Sequence, residues 1–139
     1  MMKAVKQANT GAELEVRKLV AALGIRYRLR NRDLPGSPDL ANRMRRWAVF
    51  VNGCFWHGHK NCPKTKARTG SRVPKIRHRF WEKKLHENRR RDATKCRALR
   101  GLGFRVVIVW ECQLRKVAHL RGRLQKLLVS PHGLKRRSQ

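Results

Sequence analysis

The sequence predicts an α/β fold, one small mixed β-sheet sandwiched by helices. Three observations predict it. Two short runs, Trp47 to Val51 (WAVFV) and Phe104 to Trp110 (FRVVIVW), are nearly all apolar and rich in β-branched and aromatic residues, as buried strands are. Other segments repeat their apolar residues every three or four positions, as helices do. The order along the chain is helix, three strands, helix, strand, helix, which a sheet with helices packed on it accommodates.

Each element has a local reason. Residues 1–9 read as a basic arm. Thr10-Gly11-Ala12-Glu13 has capping-box spacing, and Leu14, Leu19, Val20 and Leu23 give the first helix an apolar side. Gly24 ends it. Ile25 to Arg30 alternates, with Ile25, Tyr27 and Leu29 on one face and arginines on the other, which predicts a half-exposed strand. The breakers in DLPGSPDL make a turn. A short strand at Asp39-Leu40 then leads through a basic turn, Asn42 to Arg46, into the Trp47–Val51 strand. Residues 63–74 are polar and basic and read as a loop. A long helix is predicted from Lys75 to Arg100, stopped by Gly101 and Gly103. The run from Phe104 reads as a central strand. A last helix covers Gln113 to Val129. Residues 1–129 form one domain in this reading, and residues 130–139 a disordered basic tail.

The charge balance is extreme: 36 Lys+Arg against 8 Asp+Glu, a formal net charge of +28. Solubility alone is better served by mixed signs, since like charges repel the compact state. The partner implied is a polyanion. Contact with roughly 6–10 phosphates would weaken binding about 10³–10⁵-fold between low and moderate salt. No helix sets its basic residues opposite a wide apolar face, which argues against a membrane surface. No apolar run is long enough to span a bilayer, and no signal peptide is visible. A reducing cytoplasm follows as the expectation, where clustered cysteines are metal ligands or core thiols.

The most informative stretch is Asn52 to Cys62, NGCFWHGHKNC. Soft metal ligands, a group able to move a proton near neutral pH and two large flat side chains leave one strand end together. Spacing leaves two assignments open. Cys54, His57, His59 and Cys62 could close a local four-ligand zinc site. Alternatively, His57 is the proton-transfer group. Elsewhere, Trp81, Leu85, Asn88, Asp92, Cys96 and Leu99 follow three- and four-residue steps. That puts Asp92 and Asn88 on the inward stripe of the long helix, where a carboxylate needs an ion pair, hydrogen bonds or a metal. Cys96 reads as a buried thiol, and Trp47 and Trp110 as core packing.

Five segments, NTGAELEVRKLV, RDLPGSPDL, VFVNGCFWHGH, RFWEKKLHENRRRD and GFRVVIVWEC, resemble the very-short-patch repair (Vsr) endonucleases in order and approximate spacing. These bacterial enzymes nick DNA beside a T:G mismatch. The resemblance covers about residues 2–115. It implies a restriction-endonuclease-like three-layer core with a structural zinc site. It also implies a Mg²⁺-dependent enzyme acting on double-stranded, mismatched DNA, cytoplasmic and nucleoid-associated, monomeric, with a mismatch-repair protein as a further partner.

The same resemblance assigns roles. Asp39 matches the Mg²⁺-binding carboxylate, with the backbone carbonyl of Val51 as second ligand. His57 matches the histidine that helps activate water at the attacked phosphate. Drawing the fourth zinc ligand from the WEC strand end gives Cys54, His59, Cys62 and Cys112 as the zinc set. The spacing from His59 to Cys62 is one residue longer than in the best-known members. Asp92 matches an acidic member of the active site that orients His57, and Glu13 a glutamate near the metal. Phe55, Trp56 and Trp81 match aromatics driven into the base stack, and Lys84 and Asn88 further DNA contacts. Asn52 departs from the best-known members, which have a histidine there; asparagine can hydrogen-bond a phosphate oxygen but cannot exchange a proton near pH 7. Two other readings stand beside nicking at a mismatch: a nuclease of the same fold with another DNA specificity, such as homing-type cleavage, and a catalytically weak DNA-binding module.

Overall fold

A computed structural model describes residues 11–54, 57, 59, 62 and 75–129. Thr10, Phe55 and Trp56, the 63–74 loop, the basic arm and the tail lie outside the described residues. The elements in order are α1 (Gly11–Ala22), β1 (Leu40–Asn42), β2 (Trp47–Asn52), α2 (Lys75–Gly101), β3 (Arg105–Trp110), a 3₁₀ turn (Glu111–Arg115), α3 (Val117–Leu124) and a wide terminal turn (Gln125–Val129). The sheet has the order β1-β2-β3. β1 and β2 form an antiparallel hairpin with Leu40 opposite Val49. β2 and β3 run parallel, from Trp47 opposite Arg105 to Asn52 opposite Trp110. A parallel pair needs a long crossover, and α2 lies within it.

The sheet is covered on both faces, giving three layers. Alternation along the strands sorts the side chains. Leu40, Trp47, Val49, Val107 and Val109 pack with Val16 and Val20 of α1 and Leu120, Leu124 and Leu128 of the C-terminal segment. Ala41, Ala48 and Phe50 face the other way, onto Cys96 and Leu99 of α2 together with Leu34 and Phe104. No helix among the described residues is long and apolar enough to cross a membrane.

Three expectations are corrected. Ile25 to Arg30 is not a strand: it contributes one bridge, Arg28 to Ala41. β1 offers only three residues to pair with, and Arg30 turns the chain away at φ 56°. Ile25, Tyr27 and Leu29 still pack on the core. Second, the FRVVIVW strand is an edge of the described sheet and β2 is its centre; burial beneath helices produces the same apolar pattern as a central place. Third, the last helix is broken at Lys116 (φ −118°, ψ 70°). The segment before the break is a 3₁₀ turn: the Gln113 side chain accepts from the Trp110 amide at 3.0 Å at its start, and the Lys116 amide donates to the Gln113 carbonyl at its end. Further on, the Arg105 guanidinium donates to the Leu127 carbonyl, within the wide turn.

Candidate active site and metal cluster

β2 and β3 both finish where antiparallel β1 begins. Asp39, Asn52 and the 54–62 segment therefore come to one end of the sheet, with Cys112 just beyond β3. Asn31, fully buried, fixes the turn ahead of Asp39 by donating to the carbonyls of Arg28 (2.8 Å) and Pro38 (3.0 Å). The Asp39 amide donates to the Val49 carbonyl at 3.0 Å, and its carboxylate accepts from the Val51 amide at 2.7 Å. A strand residue's amide and carbonyl point to the same edge, so the Val51 carbonyl faces the side where Asp39 stands.

Glu13 reaches the same place from α1. It is 5% exposed and its carboxylate is 3.2 Å from Arg17. Burial pushes the Asp39 carboxyl up to about 6; the Val51 amide opposes this, Glu13 adds to it, and His57 pulls it back. One buried carboxyl, one half-buried carboxyl and a backbone carbonyl are hard oxygen donors, the set that suits Mg²⁺.

His57 stands opposite, its Nδ1 2.6 Å from Asp92 Oδ2 on α2. Lys95 Nζ lies 3.4 Å from the other Asp92 oxygen. Burial raises the Asp92 carboxyl, but the hydrogen bond and charge of His57, with Lys95, outweigh it and hold Asp92 below its ordinary value. An ionised Asp92 accepts the Nδ1 proton, which leaves Nε2 as the basic nitrogen of the ring. The inward stripe of α2 places this pair: Leu85, Cys96 and Leu99 are buried, and Asp92, Asn88 and Trp81 half-buried. Lys84 is exposed. Trp81 packs edge-on against the exposed Phe80, with ring centroids 5.0 Å apart. Asn52 is buried at the end of β2, in a small cavity lined also by Asp92 and Lys95.

The ligand atoms of Cys54, His59, Cys62 and Cys112 all lie within 4.8 Å of one another. The Cys112 amide points at Cys54 Sγ (3.3 Å), and Cys112 Sγ is 3.5 Å from His59 Nδ1. Burial, with the neighbouring thiols, pushes Cys54 up to about 12 without a metal. Three sulfurs and one imidazole suit tetrahedral Zn²⁺, whose ligand atoms would sit roughly 3.8 Å apart at bond lengths of about 2.3 Å. His57 is outside this group, although spacing allowed it in.

The chain also has relatives among known proteins. The chain is 43% identical over 128 residues to the type II nicking enzyme V.XorIIP of Xanthomonas oryzae pv. oryzae, covering 92% of this chain and 89% of that one. The chain belongs to the Vsr family. The family model for DNA mismatch endonuclease Vsr matches residues 1–64. The type II nicking enzyme V.NmeAIP of Neisseria meningitidis is 35% identical over 92% of this chain and 86% of its own length. The DNA mismatch endonuclease Vsr of Escherichia coli is 38% identical over 82% of this chain and 69% of its own. The Vsr family is one of DNA endonucleases with a restriction-endonuclease-like fold, and such nucleases use divalent metals.

Two residues of the candidate site in this Vsr-family chain escaped sequence reasoning. Trp110 reads as core, yet it lies face to face with His59 (4.2 Å between centroids, 10° between planes) and edge-on to His57 at 6.4 Å. Nothing in an apolar run distinguishes it from a packing residue. Lys95 did carry a signal, its three-residue spacing from Asp92 on one helix.

Proposed function

We propose that this chain nicks one strand of double-stranded DNA beside a T:G mispair in a Mg²⁺-dependent reaction. The observation that carries the reading is the pairing of the His57–Asp92 dyad with the Asp39–Glu13 carboxyls at one end of the sheet. Asp39 and the Val51 carbonyl would hold the magnesium, with Glu13 beside it. Bound there, the ion would supply positive charge against the negative charge that builds on phosphorus during attack. Nε2 of His57 takes a proton from the attacking water, and Asp92 holds the ring in the tautomer that allows it. Asn52 donates its amide to a phosphate oxygen. Phe55, Trp56 and Trp81 wedge into the stack where a weak pair costs least to open, and Lys84 and Asn88 contact the DNA nearby. Zinc at Cys54, His59, Cys62 and Cys112 would fasten the His57 segment to the end of β3.

Residues 1–129 act in this reading as a single nuclease domain, with the basic arm and the 130–139 tail adding charge toward DNA. The protein works as a monomer in a bacterial cytoplasm, on the nucleoid, with a mismatch-repair protein as a further partner. The test is a nicking assay on T:G and fully paired duplexes, with and without Mg²⁺. The expected result is cleavage only of the mismatched duplex, only with the ion, and none by Asp39→Ala. Asn52 favours a second reading, nicking of other DNA, and equal rates on both duplexes would establish it. Salt-sensitive binding with no nicking at all would leave only a DNA-binding module.

A further inference from the structure

The mechanism above gives Lys95 no part. It follows Asp92 by one helical turn on α2, and its Nζ is 3.4 Å from Asp92 Oδ1. His57 Nδ1 is 2.6 Å from Oδ2, so the carboxylate gives one oxygen to each partner. The lysine has two further neighbours. One is the Phe50 ring, which lies beneath the charged end with its centroid 5.9 Å from Nζ. The other is Gly36, where a Cβ would fall 2.7 Å from Cδ and 2.8 Å from Cβ and Cγ of Lys95. Gly36 belongs to the turn that delivers Asp39 three residues later. Its φ of 74° suits glycine, and its missing side chain is the space the lysine stem fills.

We propose that Lys95 is a positioning residue that fixes the Asp92 carboxylate for His57 and ties this dyad to the Asp39 turn. A carboxylate held at one oxygen can swing about its terminal torsion, which is broad and nearly free. Held at both, it can present Oδ2 to the imidazole in one direction only. The lysine's packing on Gly36 and Phe50 sets the spacing between the two halves of the site, one carried on α2 and the other on the turn and β2. Misplacement of about 1 Å in such an arrangement costs on the order of 10²-fold in rate.

This inference rests on the nuclease reading, and the two can fail separately. If the wild type does not nick mismatched DNA, that reading fails. If the wild type nicks and Lys95→Met nicks equally well, the inference fails. Lys95→Met keeps the stem and removes the charge. In single-turnover and steady-state nicking its kcat should fall about 10-fold or more, with KM for DNA unchanged within a factor of two. Lys95→Arg should recover most of the loss. In the Asp92→Asn background, Lys95→Met should add almost nothing, because its effect runs through that carboxylate. Losses that multiply fully in the double variant would overturn the proposal, since Lys95 would then act on the substrate itself. A readout independent of cleavage is the hydrogen-bonded Nδ1 proton of His57 in the NMR spectrum, assigned by its disappearance in His57→Ala. It should shift or broaden in Lys95→Met while the melting temperature holds, and an unchanged resonance counts against the clamp. Lys95→Gln carries the same comparison if the methionine variant does not fold.

Discussion

Replacing Asp39 with asparagine should stabilise the magnesium-free protein above neutral pH while ending its nicking. Burial holds the Asp39 carboxyl at about 6 against an ordinary 3.8. Ionising it in the folded state therefore costs more than in the unfolded chain. At about 1.36 kcal/mol per tenfold change in proton affinity, the full cost is on the order of 3 kcal/mol. The sign follows from proton counting. Between pH 4 and 6 the folded state binds more protons than the unfolded state, so the wild type loses stability as pH rises through that window. Below it no penalty applies, and above it the penalty is complete.

An asparagine amide removes the ionisation, its oxygen can still accept from the Val51 amide, and its nitrogen can donate to Glu13. Attraction of Asp39 to the basic surface acts the other way and is screened at physiological salt. The expected net gain is about 1–3 kcal/mol at pH 8, or a melting temperature higher by about 3–10 °C for a domain of this size. The gain should vanish near pH 4. The assay is thermal and urea unfolding of both proteins from pH 4 to 8, in magnesium-free buffer without a chelator so that any zinc stays. Adding Mg²⁺ should stabilise the wild type and leave Asp39→Asn unmoved. A variant less stable at pH 8, or a difference independent of pH, would refute the reasoning.

Other expectations follow from the same geometry. Asp92→Asn should lower kcat by about 10²–10⁴-fold with little change in DNA affinity, measured by single-turnover nicking. Purified protein should hold one zinc per chain, and X-ray absorption should show three sulfurs and one nitrogen around it; Cys112→Ser should lower both zinc content and melting temperature. Gly36→Ala forces a strained φ and a Cβ against the Lys95 stem, and should cost roughly 1–3 kcal/mol by urea titration. Duplex affinity should fall steeply with salt, the logarithmic slope being about −0.9 for each phosphate neutralised, and a flat response would count against a large phosphate footprint.

How much was legible from the sequence depended on whether a residue's neighbours in the chain decide its place. The β2 and β3 runs announced themselves because both faces of each are covered. The inward stripe of α2 foretold where Asp92 would lie, since helical periodicity alone sets that direction. Ile25 to Arg30 misled because alternation reports which side chains are buried, not whether a partner strand is long enough to pair. The split of the last helix at Lys116 left no mark in the sequence, because an apolar spacing of three or four residues fits a 3₁₀ turn followed by a helix as well as one continuous helix. Choosing between His57 and Cys112 as a zinc ligand needed a contact across 58 residues, between Cys112 and Cys54, so local spacing left it open and family resemblance supplied the choice. Trp110 remained invisible because stacking on an imidazole and packing in a core ask for the same flat apolar ring.

The parallel pairing of β2 with β3 has a consequence for synthesis on the ribosome. His57 leaves the tunnel well before its carboxylate on α2, and the thiol after β3 follows later still. A nascent chain lacking β3 has neither the finished sheet nor the fourth cluster ligand. In the proposed mechanism a truncated product cannot cut, so nicking waits until the last strand of the sheet has been made.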